Sequence, residues 1–207
     1  MQLLLIRHGQ SVANAEGRLQ GIMDSPLSDL GREQARALAR RLVGEGWSLS
    51  AIHTSDQSRA AETAEILGAA LGAPVFPDER LREYDIGVLT GLAFADVERL
   101  HPDIGQALRQ SPVWPAIPGE EGGEAFIGRI VSVLEDIRSA QGGGQAVAVV
   151  SHGRTLSMIL AYLVELDPDR RTPFVFGNTS LSVVEFHPHR ILLTSLIDLC
   201  HLGDGLR

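Results

Sequence analysis

Arg7-His8-Gly9 and Ser151-His152-Gly153 each close a short apolar run, and Thr54-Ser55 with Arg59 follows a third. These residue types can grip or attack phosphorus. A neutral imidazole is nucleophilic near neutral pH and leaves readily once phosphorylated. A guanidinium neutralises phosphoryl oxygens through forked, charge-assisted hydrogen bonds. His8 is then the candidate nucleophile, Gly9 leaves room for the approaching phosphate, and Arg7 and Arg59 supply positive charge. His152 offers a second imidazole to stabilise the charge that spreads over a transferring phosphoryl group. Each feature taken alone has a plainer reading: a strand end without catalytic role, a satisfied core histidine, an exposed helix arginine. The repetition of the pattern at separate strand ends favours a shared pocket.

That pocket requires strands running the same way. Leu3 to Ile6, Ala51-Ile52 and Ala146 to Val150 read as buried strands, and in an open α/β sheet the ligand crevice lies at the carboxyl ends of such strands. The expected fold is α/β, a three-layer sandwich with a mostly parallel central sheet and helices on both faces. One domain is expected over residues 1–207, with a small cap or lid inserted at 77–123. Apolar residues at helical spacing predict a helix from Ser28 or Asp29 to a stop at Gly44 and Gly46, and a second over Ser58 to Leu67 with Arg59 in its first turn. A short helix is expected over Ala93 to Leu100, a longer one around Phe126 to Ile137 ended by Gly142-Gly143-Gly144, and another from Gly153 through Leu163. Val75-Phe76 reads as a short edge strand, and Leu181 to Phe186 with Ile191 to Ile197 as a hairpin. Ser11 to Pro26 reads as a loop over the site.

Composition narrows the possibilities further. The chain of 207 residues is 44% hydrophobic and 21% charged, an ordinary globular balance. A formal charge of -8 argues against nucleic-acid or anionic-membrane partners, so any anion site must be built locally. All 18 basic residues are arginine, so phosphate contacts fall to arginine, histidine, backbone N–H or neutral polar groups. The single cysteine, Cys200, excludes an internal disulfide framework and is expected as a packed thiol beside Leu199. The histidines show no His-x-x-x-His pair with a nearby acid, and His187 and His189 fit a polar hairpin turn, so neither metal nor cofactor is expected. No basic leader and no run near the roughly 20 apolar residues of a membrane span is seen, which makes a cytoplasmic location the expectation. Nothing in the sequence signals an oligomeric state.

Motif order adds a resemblance. Arg7-His8-Gly9-Gln10-Ser11 with Asn14 and Gln20-Gly21, Thr54-Ser55-Asp56 with Arg59-Ala60 and Thr63-Ala64, Leu81-Arg82-Glu83 with Gly87 and Gly91, and Ser151-His152-Gly153 together resemble the histidine phosphatase superfamily, the phosphoglycerate-mutase-like group. The resemblance implies that His8 forms a phosphohistidine and that Arg7, Arg59 and His152 complete its pocket. It implies Asn14 close to the bound oxygens, with Gln20, Gly21 and Gly153 as further substrate-binding positions. Glu83 matches the family's proton donor, which protonates the departing alkoxide and then takes a proton from the attacking water.

Within the family, mutases resemble one another in a segment after the acid that carries lysine and paired arginines for a substrate carboxylate. Here that segment is shorter, without lysine or an Arg-Arg pair, though Arg99 and Arg109 are available singly. A phosphatase acting on a small phosphorylated metabolite is therefore the expectation. Phosphoglycerate-mutase-type transfer and a non-catalytic phosphate-ester-binding protein are the alternatives. Leu81 to Gly87 resembles the small broad-specificity and cobalamin-pathway phosphatases. Pro118-Gly119 to Glu124 resembles their Pro-Gly-Gly-Glu segment only loosely, so no role passes to Glu120, Glu121 or Glu124. Arg154-Thr155 replaces a glycine and an aliphatic residue often found there, leaving Arg154 either on the substrate or in solvent. Val113, Trp114 and Ile117 fit either an apolar wall for the leaving group or packing beneath a loop.

Overall fold

The computed structural model describes residues 1–111, 113–140, 146–167 and 172–206. Its six strands are β1 (Gln2–Arg7), β2 (Leu49–Thr54), β3 (Val75–Pro77), β4 (Ala146–Ser151), β5 (Leu181–His187) and β6 (Arg190–Asp198). They form one sheet in the order β3-β2-β4-β1-β5-β6. The pairings β3·β2, β2·β4 and β4·β1 are parallel, whereas β1·β5 and the hairpin β5·β6 are antiparallel. The expected α/β architecture with a mostly parallel sheet is present.

Every side chain of β4 is buried, because the strand is covered on both faces as its unbroken apolar run requires. Alternate residues feed separate cores. Leu3, Leu5, Val147 and Val149 pack with Phe126, Ile130, Leu134, Leu156 and Ile159, which come from helices α6 (Gly123–Ala140) and α7 (Gly153–Leu163). Leu4, Ile6, Ile52, Ala148 and Val150 pack with Leu38, Leu42, Ala60, Ala64 and Leu67, from α2 (Asp29–Gly44) and α3 (Ser58–Leu71). Each such leucine or isoleucine stabilises the fold by about 1.5–3 kcal/mol on full burial. The two layers therefore clamp the strand ends that carry the candidate chemistry.

Several boundaries differ from the sequence expectation. Helix α3 continues past Leu67 to Leu71. Gly68 is a packing residue within it, since a Cβ there would lie 2.7 Å from Val75 Cγ2. The stretch expected as a loop holds a one-turn helix, α1 (Val12–Ala15), closed by a reciprocal capping box between Ser11 and Asn14. Residues 77–123 hold 3-10 turns at Glu79–Leu81 and Gly87–Leu89, then α4 (Phe94–Leu100) and the unanticipated α5 (Pro102–Gln110). Proline at the first position of α5 suits a helix start. Gly142-Gly143-Gly144, expected to end α6, lies outside the described residues. Cys200 is exposed rather than packed, because the chain turns after β6 and Leu202 takes the buried position. No helix among the described residues is long and apolar enough to cross a membrane.

Candidate active site

Strand register brings the two histidines together. Arg7 pairs with Ser151 across β1 and β4, so His8 and His152 follow as neighbours at the carboxyl edge, with ring centroids 5.1 Å apart. The backbone around them is heavily fixed. His8 N–H donates to Ser151 O at 3.0 Å, Asn178 Nδ2 donates to His8 O at 3.0 Å, and Gly9 N–H donates to Thr63 Oγ1 at 3.1 Å. Gly9 is required for a different reason from the one expected. A Cβ there would sit 2.4 Å from the Gly31 carbonyl oxygen in α2, so it is helix packing that excludes a side chain.

The hydrogen bonds set the histidine tautomers. His8 Nδ1 lies 2.7 Å from the Gly9 carbonyl, which can only accept, so Nδ1 carries the hydrogen and Nε2 keeps the lone pair. Burial holds the His8 pKa well below its ordinary value, and the cations Arg7 and Arg59 lower it further. The ring is neutral and nucleophilic. His152 is the mirror case: Arg59 Nε donates to its Nδ1 at 3.2 Å, which leaves the hydrogen on Nε2. That Nε2 is buried without a hydrogen-bond partner among the described residues. Burial, followed by Arg59, holds the His152 pKa well down too.

The arginines differ from one another. Arg59, in the first turn of α3, is 1% exposed. It donates to the carbonyls of Met23 at 2.9 Å and Gly21 at 3.1 Å as well as to His152. Burial lowers its pKa to about 10, still cationic at neutral pH, with Glu83 and Asp24 opposing. Arg7 donates through Nη1 to Phe176 O at 2.6 Å, while its Nε is buried with no partner among the described residues. Two buried donors without acceptors, Arg7 Nε and His152 Nε2, are costly unless an anion completes them.

Glu83 reaches the same place from the 77–123 segment. Its carboxylate accepts from the N–H of Tyr84 at 2.9 Å and of Arg154 and Thr155 at 3.2 Å, and from Thr155 Oγ1 at 3.2 Å. The last three come from the first turn of α7, where backbone N–H groups favour an anion. Arg129 braces the chain beneath, donating to the carbonyls of Arg80, Arg82 and Glu83 and pairing with Glu121 at 2.8 Å. Glu120 accepts from the Tyr84 hydroxyl at 2.8 Å, and Glu124 lies exposed in the first turn of α6. Glu120 and Glu121 thus hold the acid-bearing loop.

Arg7, His8, Asn14, Gln20, Gly21, Arg59 and Glu83 line one cleft of about 540 Å³, which Leu19, Leu89, Phe94, Val97, Leu108, Trp114 and Arg154 extend outward. His152 lies fully buried beside His8 rather than in the cleft wall. Gly153 lines an adjoining recess with Arg7 and Arg154. Asn14 accepts from Ser11 N–H at 3.2 Å and from Asn178 at 3.4 Å, and Gln20 accepts from the Ser11 hydroxyl at 2.9 Å. Of the suggested apolar wall only Trp114 lines the cleft; Ile117 is core and Val113 is 46% exposed. Arg99 is outside the lining and pairs with Asp96, and Arg109 pairs with Glu98 at the rim. Among the described residues no group of three or more His, Cys, Asp or Glu gathers as metal ligands. Sequence reasoning missed Asn178 and Arg129, which carry no local motif and hold the site largely through carbonyls distant in sequence.

Chemically, the arrangement pairs a free imidazole lone pair with cationic and neutral donors, and sets a carboxyl group at the mouth of the same cleft. Residues 3–199 match the histidine phosphatase superfamily (branch 1). The chain is 30% identical over 204 residues to phosphoserine phosphatase 1 of Hydrogenobacter thermophilus, covering 99% of this chain and 95% of that one. It is 33% identical to phosphoglycerate mutase-like protein 4 of Arabidopsis thaliana, over 88% of this chain and 78% of that protein. Among solved structures, a mycobacterial glucosyl-3-phosphoglycerate phosphatase in complex with VO3 superposes with a TM-score of 0.81 at 31% identity, covering 94% and 98% of the two chains.

Proposed function

The chain belongs to the histidine phosphatase superfamily, and from that premise we propose that it hydrolyses phosphate monoesters of small metabolites through a phosphohistidine on His8. The observation that carries this reading is the neutral His8 with Nε2 unprotonated, set beside the unpartnered donors of Arg7 and His152. His8 Nε2 attacks phosphorus as the bond to the leaving oxygen breaks, and Glu83 in its acid form gives that oxygen its proton. Arg7, Arg59 and His152 take up the negative charge on the three equatorial oxygens. In the second step water attacks the phosphohistidine, Glu83 as carboxylate accepts the water proton, and inorganic phosphate leaves with His8 restored.

Hydrolysis is favoured over mutase transfer because the segment after the acid carries no lysine and no Arg-Arg pair, and Arg99, one of its two single arginines, stands outside the cleft lining. Among the relatives, several are named as phosphatases of phosphoserine, glucosyl-3-phosphoglycerate or alpha-ribazole phosphate, which supports a phosphorylated metabolite as substrate. We read residues 1–207 as one domain with 77–123 as its cap, working in the cytoplasm.

Phosphate release from p-nitrophenyl phosphate in excess chelator tests the reading. Sustained release is expected, since the positive charge comes from side chains; loss of activity on chelation overturns the mechanism. Incubation with 3-phosphoglycerate and its bisphosphorylated primer is expected to yield free phosphate and no isomer. Isomer formation would assign the chain to the mutases.

A further inference from the structure

We propose that Arg154 is a specificity-determining residue that reads a carboxylate on the leaving group, selecting phosphate esters of short hydroxy acids. This rests on the phosphatase reading above. Arg154 stands in the first turn of α7, and its Cζ lies 3.6 Å from the Tyr84 ring centroid and 3.7 Å from that of Trp114. The ring quadrupoles attract the cation and fix its plane. With both faces covered, only the edge of the guanidinium can donate hydrogen bonds.

No protein acceptor meets that need at Nη1, which is buried without a hydrogen-bond partner among the described residues. Of the other arginines around the cleft, Arg7 stands beside His8 and serves the phosphoryl group, Arg59 meets two carbonyls and His152, Arg109 pairs with Glu98, and Arg18 meets Glu16 and the Gly91 carbonyl. Glu83, Glu120 and Glu121 attract the guanidinium from nearby, but none of them meets Nη1 with a hydrogen bond, and Arg154 lines the catalytic cleft. An anion entering there would satisfy it. A carboxylate suits a planar cation edge-on, and a single charge costs less to desolvate than a second, dianionic phosphate.

Distance along the substrate follows from Glu83. The backbone N–H of Arg154 donates to the Glu83 carboxylate at 3.2 Å, and both residues line the cleft, so the proton donor for the leaving oxygen and the proposed anion reader are neighbours in space. The substrate's ester oxygen and carboxylate are then only a few bonds apart. Leu19, Leu89, Val97 and Leu108 make much of the remaining cleft apolar, offering no second anchor for a carboxylate.

The test compares O-phosphoserine with O-phosphoethanolamine, which differ by the carboxylate alone. The wild-type ratio of kcat/KM is expected to favour phosphoserine by about 10- to 30-fold, the scale of one charge-assisted hydrogen bond. Arg154→Met should bring the ratio close to one, and Arg154→Lys should retain part of it. A structural role alone would lower both esters together and leave the ratio intact, which would overturn the proposal, as would a wild-type ratio near one. Failure to release phosphate from these esters and from p-nitrophenyl phosphate would instead bring down the phosphatase reading, and this inference with it.

Discussion

The floor of the cleft and the segment proposed as its cap are built by opposite means. At the floor, His8, Arg59 and His152 are at most 2% exposed, and they emerge from the ends of β1 and β4 and the first turn of α3, each clamped by packed helices. In the cap, α4 and α5 together bury only Val97 and Gly105, and the Arg109–Glu98 bridge joining them is half exposed. Buried, densely hydrogen-bonded groups hold a reacting geometry to fractions of an ångström. An exposed helical pair can shift or be replaced without disturbing the sheet. Under the proposed mechanism, chemistry is thus fixed by the core, and the choice of leaving group is left to the periphery.

The largest expected effect tests the floor. His8→Ala should lower kcat/KM by at least about 10⁴-fold, as expected when a nucleophile is removed, and should abolish an acid-labile phosphoryl label detectable by mass spectrometry. Retained turnover would mean that the buried pair is structural, and the contrast with the cap would collapse. Next comes Glu83→Gln, which stands between the two regions. Turnover of an alkyl phosphate should fall about 10²- to 10³-fold, while p-nitrophenyl phosphate, whose leaving group needs less protonation, should lose far less. Equal losses on both esters would remove Glu83 from its assignment as acid.

The same contrast explains what the sequence disclosed. Leu3 to Ile6 and Ala146 to Val150 were legible because a strand covered on both faces must be continuously apolar, so their polar ends stood out. Register then did the rest, since Arg7 opposite Ser151 leaves His8 and His152 no choice but adjacency. The periphery was opaque for an equally physical reason. Helix α5 is short, with Ile104 and Leu108 its only large apolar residues, too brief a run to declare a helix, and the need for Gly105, where an added Cβ would lie 2.9 Å from Glu98 Cα, appears only once α4 and α5 are packed. Asn178 and Arg129 act on carbonyls 170 and 46 to 49 positions away, and no local pattern encodes such partners. Arg154 was visible as a departure from the family pattern, but the stack between Tyr84 and Trp114 that gives it meaning exists only in three dimensions.

Acid exposes the cost of the buried floor. Burial holds His8, His53 and His152 below the ordinary histidine value, and His201 down to about 4; none of these lies in the cap. In the unfolded chain each binds a proton as pH falls through about 6.5, whereas the folded state resists. Folding stability should therefore be complete above that value and decline below it, by up to about 1.4 kcal/mol per pH unit for each histidine still neutral in the fold. Denaturant titrations at pH 7, 6 and 5.5 measure this slope, and His8→Asn should reduce it by about one histidine's share. A slope unchanged in that variant would mean that His8 takes up a proton as readily in the fold as in the unfolded chain, and that burial does not hold it neutral.

The smallest expected effect belongs to the cap. Arg109→Gln removes the pair with Glu98, whose side chains are 55% and 56% exposed. Water already solvates both partners, and holding two long side chains in one geometry costs entropy that nearly cancels their attraction. The thermal midpoint should stay within measurement error, and kcat on p-nitrophenyl phosphate should change by less than about twofold. KM for a bulkier ester is the quantity free to move, because Arg109 lines the cleft beside Leu108 and its release would loosen the mouth without touching phosphorus. A large fall in kcat from this substitution would show the cap to be part of the catalytic frame, and the division between a rigid floor and an adjustable roof would have to be abandoned.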